Sequence, residues 1–250
     1  MAATHQPLRV ILSALFWIYL ISSSAFFFVV ASVIRIVSAP FDRRRALLHR
    51  FTCWWAFHYV QLCPFWRVRV EGRVYVPAGA SVLVANHQSL GDILVLFGVK
   101  RHFKWVSKAS VFKVPFIGWN MALNDYVGLV RGDAASISAM MEHCRRHLSA
   151  GSAVMLFPEG TRSMDGELKS FKHGAFTLAC EAEVPVVPIV IEGTRDALPK
   201  SGWVFRNGAR LDITVRVLEP MSPAAFGGDR DALSQGVRER LLGELRQLRS

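Results

Sequence analysis

The 250-residue chain is apolar and strongly basic. Apolar residues make up 52% of it, and the mean hydropathy of +0.28 is too high for an ordinary soluble domain. Its 30 basic and 19 acidic residues give a net charge of +11, which predicts an anionic partner: nucleic acid, an anionic membrane face or an acidic substrate. The four cysteines show neither CxxC nor zinc-site spacing, so we interpret them as reduced packing residues.

The excess apolar residues lie near the N-terminus. Residues 10–34 carry no charge, and as a helix this stretch could cross a hydrocarbon core of about 30 Å. It is too long for the apolar region of a signal peptide. Because three serines, 22–24, interrupt it, a spanning helix and a re-entrant bend are both open. Five arginines follow it between residues 35 and 50, which predicts that the bulk of the protein lies in the cytoplasm.

An aromatic segment follows at residues 45–63, with Trp54, Trp55, Phe57 and Tyr59 among apolar neighbours. Tryptophan and tyrosine concentrate at membrane interfaces, so this segment is predicted to be an interfacial helix. A core helix of the globular domain is the alternative. We therefore predict an N-terminal membrane anchor over residues 1–64 and an α/β domain over residues 65–250.

The remaining chain alternates predicted strands and helices. Strands are predicted at 66–71, 81–85, 103–107, 126–130, 154–157, 186–191 and 211–218. Helices are predicted at 93–99, 134–149, 174–182 and 229–249, and residues 220–228 are a predicted linker. This alternation predicts an α/β fold with a mixed, mainly parallel sheet flanked by helices.

His87 and Asp92 lie in the turn between the predicted strand 81–85 and the helix that follows. This is the usual position for chemistry in an α/β sheet. If the helix begins near Ser89, His87 can fold back over Asp92, and a carboxylate on one ring nitrogen leaves the other free to accept a proton. Since Ser89 is in no G-x-S-x-G frame, the pair is interpreted as a base acting directly on a substrate hydroxyl. The alternative is a surface histidine and an aspartate that complements the helix dipole.

Three further predicted strands end near distinctive residues. After strand 154–157 comes Phe-Pro-Glu-Gly-Thr-Arg-Ser at 157–163, where glycine permits close backbone approach and the Arg162 guanidinium can grip a phosphate. A surface turn that contains arginine is the alternative. Arg131 follows strand 126–130, and residues 184–190 form a strand whose two prolines suit an edge or a strand entrance.

Taken together, these four stretches resemble the four sequence blocks of the glycerolipid acyltransferase family. The blocks occur in order at residues 86–92 (N-H-x-x-x-x-D), 128–131, 157–163 and 184–188, and the match runs from about residue 70 to 217. The closest resemblance is to bacterial 1-acylglycerol-3-phosphate (lysophosphatidate) acyltransferases. Two departures are Ser110, where the family often has an acidic residue, and the apolar lead of residues 128–130 to Arg131.

The resemblance implies a role for each matching residue. His87 would be the general base that deprotonates a lysophospholipid hydroxyl, with Asp92 orienting it, and the oxygen would attack an acyl thioester without an acyl-enzyme. The acceptor-binding residues would be Glu159, Gly160, Thr161 and Arg162, with Arg162 as the phosphate ligand. Arg131 would add to that anion site, Lys108 could contact the acceptor headgroup, and Pro188 would shape the acyl-chain site.

The resemblance also implies the partners. The donor would be acyl-ACP or acyl-CoA, the acceptor a lysophospholipid, and the enzyme would act on the cytoplasmic side of the inner membrane, attracted to its anionic leaflet. Neither a cofactor, a metal nor nucleic acid is expected. Lyso-ornithine lipid and glycerol-3-phosphate are alternative acceptors. A non-catalytic, membrane-tethered protein that binds anionic lipid is a second class of function.

Overall fold

A single sheet forms the centre of the computed structural model, which describes residues 6–163, 165–198, 204–205 and 210–250. Seven strands make up the sheet within this described part of the chain. Their bounds are β1 Trp66–Glu71, β2 Val82–Ala85, β3 Phe103–Lys108, β4 Val127–Leu129, β5 Ala153–Leu156, β6 Val186–Glu192 and β7 Leu211–Val217. All seven lie within a residue or two of the predicted strands.

Helices cover both faces of the sheet. The α-helices are α1 Gln6–Ser38, α2 Ala46–Leu62, α3 Gly91–Leu96, α4 Ile117–Leu123, α5 Ala134–Ser149, α6 Gly174–Glu181 and α7 Arg230–Arg249. Aspartates cap two of them: Asp133 accepts a hydrogen bond from the N–H of Ala135 before α5, and Asp229 does the same for Asp231 before α7. The helix predicted over 93–99 begins earlier, at Gly91, and ends in a 3-10 turn over Phe97–Val99.

The strands run in the order β1-β7-β6-β2-β5-β3-β4. Every neighbouring pair is parallel except β6 and β7, which are antiparallel. The prediction of a mixed, mainly parallel sheet is therefore confirmed. Because β6, β2, β5, β3 and β4 all point the same way, the segments that follow them meet at one edge of the sheet.

The edge position predicted for the proline-containing strand is wrong, because β6 lies between β2 and β7 in the middle of the sheet. Pro185 does precede the strand, as an entrance proline. Pro188 is tolerated inside because the regular pairing of β6 with β7 begins only at Ile189, opposite Val217. On that side the carbonyl of Pro188 still accepts a hydrogen bond from Leu218 N–H at 2.9 Å.

The central strands are buried on both faces, which explains their unbroken apolar sequences. In β2, Leu83 and Ala85 point into the apolar cluster beneath α1 and α2, whereas Val82 and Val84 point into the cluster beneath α5, α6 and α7. The core therefore has two halves, one on each side of the sheet. Burial in both halves holds the carboxyl ends of β2 and β5 in place.

Helix α1 runs without a break through the three serines, so the structure does not contain the re-entrant bend. The hydroxyls of Ser22, Ser23 and Ser24 each donate to a backbone carbonyl four residues earlier, which satisfies them inside the helix. Within the described residues, α1 is the helix that is long and apolar enough to cross a membrane. Its inner face nevertheless packs on the rest of the protein, from Phe16 against Phe205 to Phe28 against Trp119.

Helix α2 packs partly as a core helix. Eight of its residues are buried, and the six apolar ones among them, including Leu48, Trp55 and Val60, join the same cluster as the sheet. Trp54 points outward and is 53% exposed. The division of the chain at residue 64 stays a prediction. The predicted linker 220–228 pairs with the sheet through a bridge between Met221 and Val186 before a 3-10 turn over Pro223–Phe226.

Candidate active site

The candidate site lies at the sheet edge where β2, β5 and β6 end. Asn86, the first residue after β2, donates through Nδ2 to the Ile191 carbonyl and accepts through Oδ1 from the Ile191 N–H, both at 2.8 Å. This pair of hydrogen bonds ties the end of β2 to β6. It fixes the start of the turn in which His87 lies, so the imidazole is carried by the rigid sheet.

His87 and Asp92 are in direct contact, as predicted. Nδ1 of His87 lies 2.8 Å from Oδ2 of Asp92, and both side chains are buried. The same carboxylate oxygen accepts from the backbone N–H groups of Gln88 at 2.7 Å and Ser89 at 2.8 Å. The turn thus wraps around the carboxylate, which explains why α3 begins before the predicted position. It also means that Asp92 serves the turn and the imidazole at once.

The His87 ring is fixed in plane by an aromatic neighbour. It stacks on Phe157, the first residue after β5, with ring centroids 3.9 Å apart and planes 12° from parallel. Nδ1 is engaged by Asp92, and among the described residues no hydrogen bond to Nε2 is found. An Nδ1–H tautomer held by a carboxylate leaves the Nε2 lone pair available for a substrate proton. Ser89 Oγ accepts from Gly91 N–H at 3.2 Å and makes no hydrogen bond to the His87 ring in the described structure, so the two do not form a serine–histidine pair.

Thr194 completes the support of Asp92, and sequence reasoning missed it. Its hydroxyl donates a short hydrogen bond to Oδ1 of Asp92, and Thr194 is fully buried. Gly193 makes this possible: its φ is +88°, and a Cβ there would lie 2.1 Å from the Asp212 carbonyl oxygen. The only sequence signal for this contact is a Gly-Thr pair after a predicted strand. The pair indicates a contact with Asp92 only once β6 is known to lie beside β2.

Glu159 is buried behind the turn and does not face an open site. One carboxylate oxygen accepts from His87 N–H at 2.8 Å and the other from Lys169 N–H at 3.0 Å. Burial raises the pKa of the Glu159 carboxyl, and these two hydrogen bonds act in the opposite direction. The position identifies Glu159 as a brace between the β2 and β5 loops. Its predicted contact with the acceptor stays a prediction.

The predicted basic residues are exposed along the same edge. Arg162 and Thr161 lie in the loop after β5, Lys108 ends β3, and Arg131 follows β4. No ion pair within 4.0 Å involves any of these three cations in the described structure. With strands about 4.8 Å apart, β5 is one spacing from β2, β3 two, and β4 three, or roughly 14 Å. Arg162 is thus the nearest of them to His87 by strand order.

A second polar cluster lies at the opposite edge of the sheet. Ligand atoms of Asp125, His143 and His147 lie within 4.8 Å of one another, which is close enough to hold a metal ion. His143 and His147 are four residues apart on α5, so their rings lie on the same face of the helix. Arg43, Arg44, Lys104 and Arg146 line the same cleft, and their positive charge opposes cation binding. The histidine pair therefore does not by itself identify a metal centre.

Two histidines, the buried His147 of this cluster and the half-buried His102 just before β3, predict acid-sensitive stability. Burial, followed by the nearby Lys104 charge, lowers the pKa of His102 and of His147 to about 4. Histidine in the unfolded chain has a pKa near 6.5, so the unfolded state takes up these protons first as pH falls. The free energy of unfolding should therefore decrease between pH 6.5 and about 4. Thermal unfolding in acetate and MES buffers checks this, and the decrease should shrink in His102→Gln/His147→Gln.

The chain is similar in sequence to known proteins. A sequence model of the family described as acyltransferase matches residues 67–192. A 1-acyl-sn-glycerol-3-phosphate acyltransferase of Chlamydomonas reinhardtii is 40% identical over 92% of this chain and 68% of its own. A chloroplastic 1-acyl-sn-glycerol-3-phosphate acyltransferase of Brassica napus is 35% identical over 85% of this chain, which spans only 62% of that relative's length.

A solved structure shares the fold over nearly the whole chain. The crystal structure of the 1-acyl-sn-glycerophosphate (LPA) acyltransferase PlsC from Thermotoga maritima superimposes with a TM-score of 0.75 at 26% sequence identity. The match covers 97% of this chain and 98% of that one. Together with the family model, which spans half of the sequence and both main site motifs, this likeness confirms the resemblance. The chain belongs to the acyltransferase family.

Proposed function

We propose that the protein transfers a fatty acyl group from an acyl thioester, acyl-ACP or acyl-CoA, to the free hydroxyl of 1-acylglycerol-3-phosphate and so makes phosphatidic acid. The observation that carries this proposal is the His87–Asp92 pair, with Nδ1 bound to the carboxylate at 2.8 Å and Nε2 available. The names of the matched relatives support the acceptor. The exposed cations along the same edge suit an anionic acceptor and an anionic donor.

The chemistry follows from the geometry of the pair. Nε2 of His87 accepts the hydroxyl proton while the acceptor oxygen bonds to the thioester carbonyl carbon, and a tetrahedral intermediate forms. When that intermediate collapses, the carbon–sulfur bond breaks and the imidazolium returns its proton to the departing thiolate. Asp92 stabilises the imidazolium between these steps, since it lies against Nδ1. The step needs no acyl-enzyme, and among the described residues no serine hydroxyl or cysteine thiol is hydrogen-bonded to the His87 ring.

Arg162 is proposed to bind the acceptor phosphate. Arg162 lies three residues after Glu159 in the loop that follows β5. The Glu159 carboxylate accepts from the His87 N–H, so it connects this loop to the turn that carries His87. Lys169 supports the loop by donating from Nζ to the Arg162 carbonyl at 2.9 Å. The guanidinium itself is exposed and can bind phosphate through two parallel hydrogen bonds. Lys108 and Arg131 extend the positive edge further from His87.

We infer that the outer face of α1 lies in the membrane. Ten large apolar side chains on this helix are more than half exposed, among them Ile18, Ile21 and Phe26 at 63–64%. Trp54 of α2 and Trp119 of α4 continue this apolar face beside Phe27 and Phe28. Since α1 contacts the protein along its length, the helix and domain would rest on the membrane together. The arginines that follow α1 favour the cytoplasmic side of the inner membrane.

An acceptor panel tests the proposal. Purified protein in detergent should release thiol from palmitoyl-CoA or palmitoyl-ACP with 1-acylglycerol-3-phosphate, and less with glycerol-3-phosphate or lyso-ornithine lipid. Arg162→Ala should raise the KM for the phosphate-bearing acceptor about tenfold or more, because a charged hydrogen bond contributes roughly 1.5–3 kcal/mol. Its kcat should change less. The matched control, Arg240→Ala on the exposed face of α7, should leave the KM unchanged.

Two results would count against this assignment. Turnover restricted to lyso-ornithine lipid would keep the chemistry and replace the acceptor. An equal rise in KM for acceptors with and without phosphate would show that Arg162 does not bind the phosphate.

A further inference from the structure

A basic cleft lies on the protein at the opposite edge of the sheet from His87. It has a volume of about 470 Å³, within the usual range for small-molecule sites, and it lies where β3 and β5 begin and α5 ends. Lys104 and Lys108 are four residues apart on β3, so the two edges are about 13 Å apart along that strand. The cleft is therefore separate from the candidate active site.

Four basic side chains line this cleft: Arg43, Arg44, Lys104 and Arg146. Burial lowers the pKa of Lys104 to about 8, and a bound anion would favour its charged form. Within the described structure, none of them has a carboxylate within 4.0 Å. Arg44 donates to the Gly151 carbonyl at 2.8 Å, which leaves the rest of its guanidinium for other partners. A group of cations without counter-charges favours an anion that can bind several of them.

Lys104 makes the strongest case for a bound anion. It is only 1% exposed, and its Nζ donates to the Asn124 carbonyl at 2.7 Å. A buried ammonium without an ion pair is costly to the fold, and an anion in the cleft would offset that cost. The carboxylate of Asp125 also lines the cleft, but it is shared among Arg45, His143 and His147 at 3.5–3.9 Å.

His143 and His147 also line the cleft and can supply hydrogen-bond donors besides those of the four basic side chains. The rings of His143 and His147 stack with centroids 4.7 Å apart on one face of α5. Nearby, the buried Nδ1 of His102 has no hydrogen-bond partner, while its Nε2 contacts Ser152 Oγ at 3.0 Å. A neutral imidazole still donates one N–H, so a ring in the cleft can contribute a hydrogen bond to an anionic ligand.

We propose that this cleft binds a phosphate group, and that the phosphate belongs to the headgroup of an anionic lipid. A phosphate group can accept two parallel hydrogen bonds from an arginine guanidinium. Its negative charge also complements the excess positive charge of the cleft. The lipid source is favoured by the neighbouring surface: Ile36, Val37 and Phe41 are 65–74% exposed and come just before Arg43 in the chain. A lipid held here would have its headgroup in the cleft and its acyl chains against α1. The site is independent of the proposed acyl transfer.

Phosphate titrations of the full chain in neutral detergent test the site. We expect inorganic phosphate to shift the histidine ring NMR signals of His143 and His147 with saturation, also in Arg162→Ala. The variant Arg43→Gln/Arg146→Gln, which changes two exposed side chains, should weaken that response about tenfold or more, as loss of charged hydrogen bonds implies. Arg240→Gln/Arg246→Gln makes the same change in net charge on α7 and should bind like the original protein.

The source of the phosphate is tested with lipid bicelles. Phosphatidate in phosphatidylcholine bicelles should saturate the same two histidine signals at a lower concentration than inorganic phosphate. Equal or tighter binding of inorganic phosphate would overturn the lipid assignment.

The site itself would be overturned if neither probe shifts the two histidine signals. It would also be overturned if the two double variants lose phosphate affinity to the same extent. Saturation by Zn²⁺ but not by phosphate would replace it with a metal site at Asp125, His143 and His147. Unchanged thermal unfolding of both double variants verifies that they fold.

Discussion

Replacing His87 by Ala is expected to lower kcat for acyl transfer by roughly 10²–10⁴-fold, the usual contribution of a positioned general base. The variant keeps Asp92 bound to the turn through Gln88 N–H and Ser89 N–H, so the fold of the loop should survive. The acceptor KM should change little, since the basic edge is untouched. Thiol release from an acyl-CoA donor, measured at saturating acceptor, reports the effect.

A control variant at another histidine distinguishes loss of the general base from an unspecific effect of removing an imidazole. His173→Ala removes an exposed imidazole that directly precedes α6 and contacts Asp231 at 2.9 Å, and it should retain full turnover. The Tm of His87→Ala should be close to that of the original protein. Near-normal turnover by His87→Ala would exclude His87 as the base. In that case the buried His87–Asp92 pair would have a purely structural role in shaping the turn.

Much of the fold could be predicted from sequence because its signals are local. The strands β2 and β5 are short apolar runs, and α5 matches its predicted bounds since Asp133 caps its start and Gly151 ends it. Strand direction is not local. No pattern within 186–192 or 211–217 states that β6 and β7 run antiparallel, or that β6 lies inside the sheet despite Pro188.

In the candidate site, too, contacts that are local in sequence could be predicted, whereas contacts between distant segments could not. His87 and Asp92 are five residues apart, so a turn could be predicted to bring them together. Thr194 is 102 residues from Asp92, and only the pairing of β2 with β6 places its hydroxyl on the carboxylate. Glu159 was predicted as part of an acceptor-binding block because its neighbours carry that motif. Its burial and its bond to His87 N–H depend on the packing of two loops, which composition does not reveal.

Asp92→Asn is expected to lower kcat about 10–150-fold, the equivalent of the 1.5–3 kcal/mol that a charged hydrogen bond contributes. Three N–H donors converge on Oδ2, so the asparagine oxygen should take that position and its amide should face Thr194, whose hydroxyl can accept. The imidazole then keeps its tautomer but loses the negative charge that stabilises its protonated form. Thiol release at saturating acceptor measures the decrease, and an unchanged kcat in the variant would exclude this role for the Asp92 charge.

Thr194 offers a matched pair of variants for the same carboxylate. Thr194→Val conserves shape but leaves Oδ1 of buried Asp92 without its hydroxyl donor, which should destabilise the fold by about 1–3 kcal/mol and lower kcat about tenfold. Thr194→Ser keeps the hydroxyl and should restore both. Because Thr194 acts through Asp92, Asp92→Asn/Thr194→Val should be little slower than Asp92→Asn alone. Fully additive losses in kcat would show instead that Thr194 affects the reaction by a separate route.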